Sequence, residues 1–183
     1  MLNARNIFLF YFLSIFTNQI LFAQIVNMES ARKENLSGFH FQANLGLNGS
    51  SGTVDRTNYS VETRIDYNSD NWQRFGVFSY KREEKDDSIT SNNTFFHLRA
   101  VRKVNSLLSL EAFTQLSEKP LQKIKRRELF GAGLRLSPYK SIRLGLGLFD
   151  ENEVRISSDT RKTTRLNTYI TNDFKISDTA TFE

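Results

Sequence analysis

The sequence predicts an all-β protein, an antiparallel up-and-down transmembrane β-barrel of eight or more strands. Three observations lead there. Apolar and polar residues alternate with a period of two from Phe39 onward. The segments that alternate run to about 10 or 11 residues, the length a tilted strand needs to cross a bilayer, whereas ordinary strands average about five or six. The connections between them alternate between long and short, as in barrels with tight periplasmic turns and longer extracellular loops.

The first element is for targeting. Residues 1–23 carry one positive charge, Arg5, then an apolar run from Ile7 to Phe22 broken only by Ser14, Thr17, Asn18 and Gln19. Ala23 supplies a small residue for cleavage, so the layout is that of a secretory signal peptide. The alternative, an uncleaved anchor, is opposed by the polar Thr-Asn-Gln break, which stops the run short of about 20 apolar residues. The mature chain then starts at Gln24 outside the bacterial cytoplasm. It has a short periplasmic segment, 24–38, and a barrel domain, 39–183.

Successive side chains of a strand point to opposite faces, so period-two alternation gives each strand one apolar and one polar face. Phe39, Phe41, Ala43, Leu45 and Leu47 alternate with polar or small residues. So do Tyr59 to Tyr67, Leu108 to Leu116, Phe130 to Leu136, and Ile142 to Leu148. The predicted strands are 39–49, 57–67, 72–82, 94–104, 107–116, 127–137, 141–150 and 163–174. In 72–82 the parity changes between Phe75/Val77 and Phe78/Tyr80, which predicts a bulge there.

The short connections are 68–71, 105–106, 137–140 and 175–178. The long ones are 50–56, 83–93, 117–126 and 151–162. Pro120 falls in a long loop and Pro138 in a short turn, so neither is expected inside a strand. Aromatics gather at the strand ends and predict two girdles. Phe39, Phe41, Tyr67, Trp72, Phe75, Tyr139 and Phe174 form the periplasmic one; Tyr80, Phe95, Phe96 and Phe149 form the outer one.

Composition removes many functions. The 183 residues fit one domain, and a formal charge of +5 from 25 basic and 20 acidic residues is too small and scattered for a nucleic-acid binder. Without cysteine there is no disulfide scaffold, thiolate metal site, Cys nucleophile or lipid-modified N-terminal cysteine. Two histidines cannot build a His-rich metal site.

The polar parity of the strands nominates lumen-lining residues: Glu62, Arg64, Asp66, Arg99, Glu111, Arg127, Arg135, Arg143 and Arg165. Mixed charges inside a small barrel either pair and fill it or line an arginine-rich pore that favours anions. Gly131, Gly133, Gly145 and Gly147 share the inward parity, which permits tight coiling or leaves room for large neighbours. His40 and His97 lie on polar faces, but there is no Gly-x-Ser-x-Gly motif, and no catalytic residue, cofactor or metal is assigned. The acidic run Glu83–Asp87 lacks calcium-loop spacing and reads as a solvated tip. Lys119, Lys123, Lys125 and Arg126 form a basic cluster in a predicted outer loop, suited to an anionic lipid head group.

The stretch Arg126-Arg-Glu-Leu-Phe-Gly-Ala-Gly-Leu-Arg-Leu-Ser137 resembles the Arg-x-Leu-x-Gly-x-Gly strand of the YdiY-like family of salt-induced outer-membrane proteins, a domain of unknown function. It is preceded by a strand with Leu110-Glu-Ala-Phe113, as in that family. Asn48–Asn58 resembles the family's first loop, with Gly52-Thr53 in place of its Gly-Asn pair. The resemblance spans about residues 39–183 and implies an outer-membrane β-barrel, with no catalytic residue or ligand to carry over.

The sequence therefore reads as an integral protein of the bacterial outer membrane. Its expected roles are a narrow passive channel for small solutes or ions, or an envelope and osmotic-stress protein. Its expected partners are outer-membrane lipid and the barrel-insertion machinery. A soluble exported β-domain that binds a ligand and a lipid-acting barrel enzyme are the alternatives. Thr179–Glu183 also looks like the start of a ninth strand, which predicts a chain that continues past Glu183; a periplasmic tail on a closed eight-stranded barrel is the other reading.

Overall fold

The computed structural model describes residues 37–139, 141–172, 174–177 and 180–182. The predicted signal peptide 1–23 and nearly all of segment 24–38 lie outside the described residues. Eight strands form one sheet in chain order: β1 (Gly38–Ser50), β2 (Arg56–Asn68), β3 (Trp72–Lys85), β4 (Ser88–Lys103), β5 (Leu108–Lys119), β6 (Ile124–Tyr139), β7 (Ile142–Arg155) and β8 (Ser158–Asn172). Every neighbouring pair is antiparallel, so the fold is all-β and up-and-down. Among the described residues β1 and β8 are the outermost strands, each laddered on one side. Two short strands, β9 (Phe174–Ser177) and β10 (Ala180–Phe182), pair with each other. Lys175–Ser177, expected as a turn, thus belong to a strand.

All eight predicted strands are present, and they are longer than the alternation suggested, at 12 to 16 residues. The extra length removes the predicted contrast of long and short loops. The connections run five, three, two, four, four, two and two residues. The charged segments read as loops are ladder. Asp86 and Asp87, both with positive φ (46° and 59°), make a two-residue turn that lets β3 and β4 pair out to Lys85 and Ser88. Side chains two apart share a face, so opposite charges at that spacing can pair along one strand. Lys81 pairs with Glu83, Arg82 with Glu84, Arg126 with Glu128, and Arg155 with Glu153.

Two further expectations are corrected. β3 has no bulge between Phe75 and Tyr80; its register with β2 is continuous, and that with β4 shifts only at Glu83/Glu84. Phe75 simply points to one face and Phe78 to the other. Pro138 lies inside β6, where the β6–β7 register shifts between Leu136 and Tyr139, so the missing N–H falls at an irregularity. Pro120 opens the single-turn 3-10 helix Pro120–Gln122 between β5 and β6, which Lys123 ends at φ 61°.

The two faces of the sheet are opposite in character to those of a water-soluble protein. One face, here called inner, buries Asp66, His97, Arg99, Glu111, Arg135, Arg143, Glu151 and Glu153, together with Phe75, Val101, Phe113, Leu129 and Phe149. The outer face exposes Phe41, Leu45, Ile65, Leu110, Phe130, Leu134, Leu146, Leu148, Leu166 and Ile170. The aromatic girdles are revised accordingly. Phe75, Phe95 and Phe149 turn inward, whereas Phe39, Phe41, Tyr67 and Tyr139 stay outward and exposed.

Candidate functional site

The inner face is built in layers. Nearest the turns after β2, β4 and β6 lies an ionic layer centred on Glu111 of β5. Its Oε2 accepts from Arg135 Nη2 of β6 at 3.0 Å and from Tyr169 Oη of β8 at 2.8 Å, and Arg99 Nη1 of β4 lies 3.9 Å away. Arg135 Nε also donates to Tyr169 Oη at 2.8 Å. Arg135 is only 2% exposed, so this guanidinium has left water and depends on these partners. Beside it Arg143 Nε donates to Thr171 Oγ1 at 3.0 Å.

The glycines make this layer fit. A Cβ on Gly145 would fall 2.0 Å from the Tyr169 ring, so the ring lies across a position only glycine can hold. Gly131 gives the Phe113 ring the same room, while Gly133 and Gly147 face each other across β6 and β7 at backbone contact.

The middle layer is aromatic. His97 lies among Phe75, Phe95 and Phe113, with ring centroids 5.7, 6.3 and 5.9 Å away, and Phe113 reaches on to Phe149 at 6.4 Å. Guanidinium groups cap the layer: Arg99 lies 5.1 Å over Phe113, and Arg64 lies 5.1 Å over Phe75. Arg64 is fixed by a two-point bond to Asp66, at 2.6 and 2.7 Å.

The third layer, toward the hairpin tips, centres on Glu151 of β7. Its Oε1 accepts from Arg127 Nε of β6 at 2.6 Å, and its Oε2 forms an ion pair with Arg165 Nε of β8 at 2.7 Å, outside hydrogen-bond geometry. Glu153 extends the chain of charges to Arg155 at 2.5 Å.

The structure places every predicted lumen residue on the inner face. It joins Arg99, Glu111 and Arg135 in one cluster, Arg64 with Asp66 in a second, and Arg127 with Arg165 through Glu151 in a third. Glu62 shares the face but is exposed, and it joins none of these clusters. Tyr169, Glu151 and the aromatic layer were not anticipated. Tyr169 has the parity of Arg165 and Asn167, and that parity was the available signal. Glu151 falls in the predicted 151–162 connection because the apolar alternation ends by 150, whereas β7 runs on to Arg155.

The predicted head-group residues all lie at the β5–β6 hairpin, in differing settings. Arg126 is outward and paired with Glu128, the adjacent Arg127 is inward on Glu151, and Lys123 holds the turn after the 3-10 helix; Lys119 ends β5 and Lys125 sits at a register shift. His40 Nε2 lies 2.8 Å from the carbonyl of Ser37. Among the described residues no three carboxylates or histidines are arranged to hold a metal ion.

Residues 43–183 match a family model described as protein of unknown function, DUF481. No curated protein is similar enough to the chain to count as a match.

Proposed function

The chain belongs to the DUF481 family, the YdiY-like family its strands resemble, and from that membership we propose that it is an integral outer-membrane β-barrel with a packed interior. One observation carries this reading, the reversed partition of polar and apolar side chains. Arg135 is 2% exposed while Leu166 is 65% and Ile170 71% exposed. In water that arrangement forfeits apolar burial and desolvates charge; against lipid tails both faces are where they belong. The family's extent over most of the chain and strands long enough to cross a bilayer support the same assignment.

The interior argues for a barrel that is filled rather than open. Ion pairs occupy both ends of the inner face, and aromatic rings occupy the level between them. This setting suits packing, so we assign His97 to the core and give the protein no catalytic role. The salt-induced character of the family names the condition under which to look for its role in the envelope, growth at raised osmolarity.

Cysteine labelling tests the location. Cysteines at Ser88 and Ser157, at hairpin tips, react with an impermeant thiol reagent on intact cells, and those at Ser69 and Ser106 do not. Equal labelling of all four overturns the reading. Planar-bilayer recording tests the interior. A filled barrel gives no discrete conductance steps, and regular steps instead establish the narrow channel.

A further inference from the structure

On the outer face, two arginines stand beside an apolar groove near the short turns. Arg74 of β3 pairs across the ladder with Tyr67, and Arg102 of β4 pairs with Trp72. The Arg74 guanidinium lies 5.5 Å from the Tyr67 ring and 4.6 Å from the Trp72 ring, and Arg102 lies 5.7 Å from Trp72. Both arginines are exposed, and neither meets a carboxylate among the described residues. This differs from the inner face, where Arg64, Arg99, Arg127, Arg135 and Arg165 each lie within 4 Å of a carboxylate. Tyr and Trp at this level mark the membrane–water boundary.

From Arg74 a groove of about 500 Å³ runs up the outer face. Its floor is opened by the small residues Ala100 and Ala112, Leu98 lies across Gly76, and Phe78, Phe96 and Phe130 stand along it. Ala100 pairs directly with Ala112, so the trough crosses from β4 to β5 without a step. No acidic residue lines it.

We propose that this groove binds one anionic phospholipid, its phosphate held between Arg74 and Arg102 and an acyl chain running past Leu98 over Ala100 and Ala112. The inference rests on the membrane-barrel reading. Charge complementarity selects the occupant. Two cations at the boundary level need an anionic counter-group, and planar guanidinium groups held against rings present paired donors to phosphate oxygens. The apolar groove beginning at Arg74 requires that the anion carry a hydrocarbon chain.

The full chain is first inserted into phosphatidylcholine vesicles, with insertion checked by flotation and protease protection. It is then taken into mild detergent with an equal mixture of phosphatidylglycerol and phosphatidylcholine of the same chain length, and bound lipid is read by native mass spectrometry. We expect one phosphatidylglycerol per chain, retained about tenfold over phosphatidylcholine. Arg74→Gln with Arg102→Gln removes the preference without affecting insertion. Ala100→Phe fills the groove and lowers retention of both lipids. Excess glycerol phosphate does not displace the bound lipid. Equal retention of the two lipids, an unchanged preference in the double variant, displacement by glycerol phosphate, or a lipid-free dimer each overturns the site while leaving the barrel intact. Failure to insert overturns both.

Discussion

Glu111 on β5 and Tyr169 on β8 share a hydrogen bond of 2.8 Å although three strand spacings separate their backbones. In a flat sheet those strands would be about 14 Å apart with parallel side chains. The contact therefore requires the sheet to curl toward its charged face, and it places one carboxylate between arginines from the strands on either side of β5. The curl, the buried charge and the glycine beneath the ring form one arrangement, and each part can be tested separately.

Removing the carboxylate is the most direct test. Glu111→Gln leaves Arg135 and Arg99 buried without their anion, and it should lower stability by about 3–5 kcal/mol. Urea unfolding from vesicles, followed through the single tryptophan, Trp72, reads the change. Glu111→Leu combined with Arg135→Met should recover a large part of the loss.

Gly145→Ala should cost about 1–3 kcal/mol, because the new Cβ collides with the Tyr169 ring. In a Tyr169→Ser background the same substitution should cost little. A double-mutant cycle that finds the two costs simply additive would separate the glycine from the ring.

The lipid face has its own test. If the exposed leucines of the outer face meet lipid as proposed, Leu110→Arg or Leu146→Arg should each cost about 2–4 kcal/mol in a bilayer. Leu121→Arg in the β5–β6 connection should stay within about 0.5 kcal/mol. Neutral results at both strand positions would indicate a soluble sheet.

The strands themselves were legible in the sequence because period two is a direct record of a two-faced sheet. The inward glycines were legible for the same reason, since their parity matched the arginines'. Alternation failed where both faces carry large apolar groups. Phe75 and Phe78 both suit their positions, one against His97 and one exposed on the outer face, yet their parities conflict. It failed again at the charged hairpins. Polarity suggested loops there, but the Lys81–Glu83 and Arg82–Glu84 pairs let the ladder continue. The Glu111 cluster was visible only as separate residues of one parity, because its closure depends on curvature that no local pattern records.

The partners of Glu111 come from β4, β6 and β8, so the bonded interior is a property of nearly the whole sheet and of no single hairpin. A β5–β6 hairpin entering a bilayer alone would carry the Glu111–Arg135 pair into hydrocarbon without the Tyr169 hydroxyl that bonds both members, and a cost would remain until β8 arrives. Insertion should therefore be concerted. On the membrane-barrel reading proposed above, the sheet would curl at the membrane surface with these bonds already made and cross as a unit, and early entry of single hairpins would be penalised by the same arginines that hold the finished interior together.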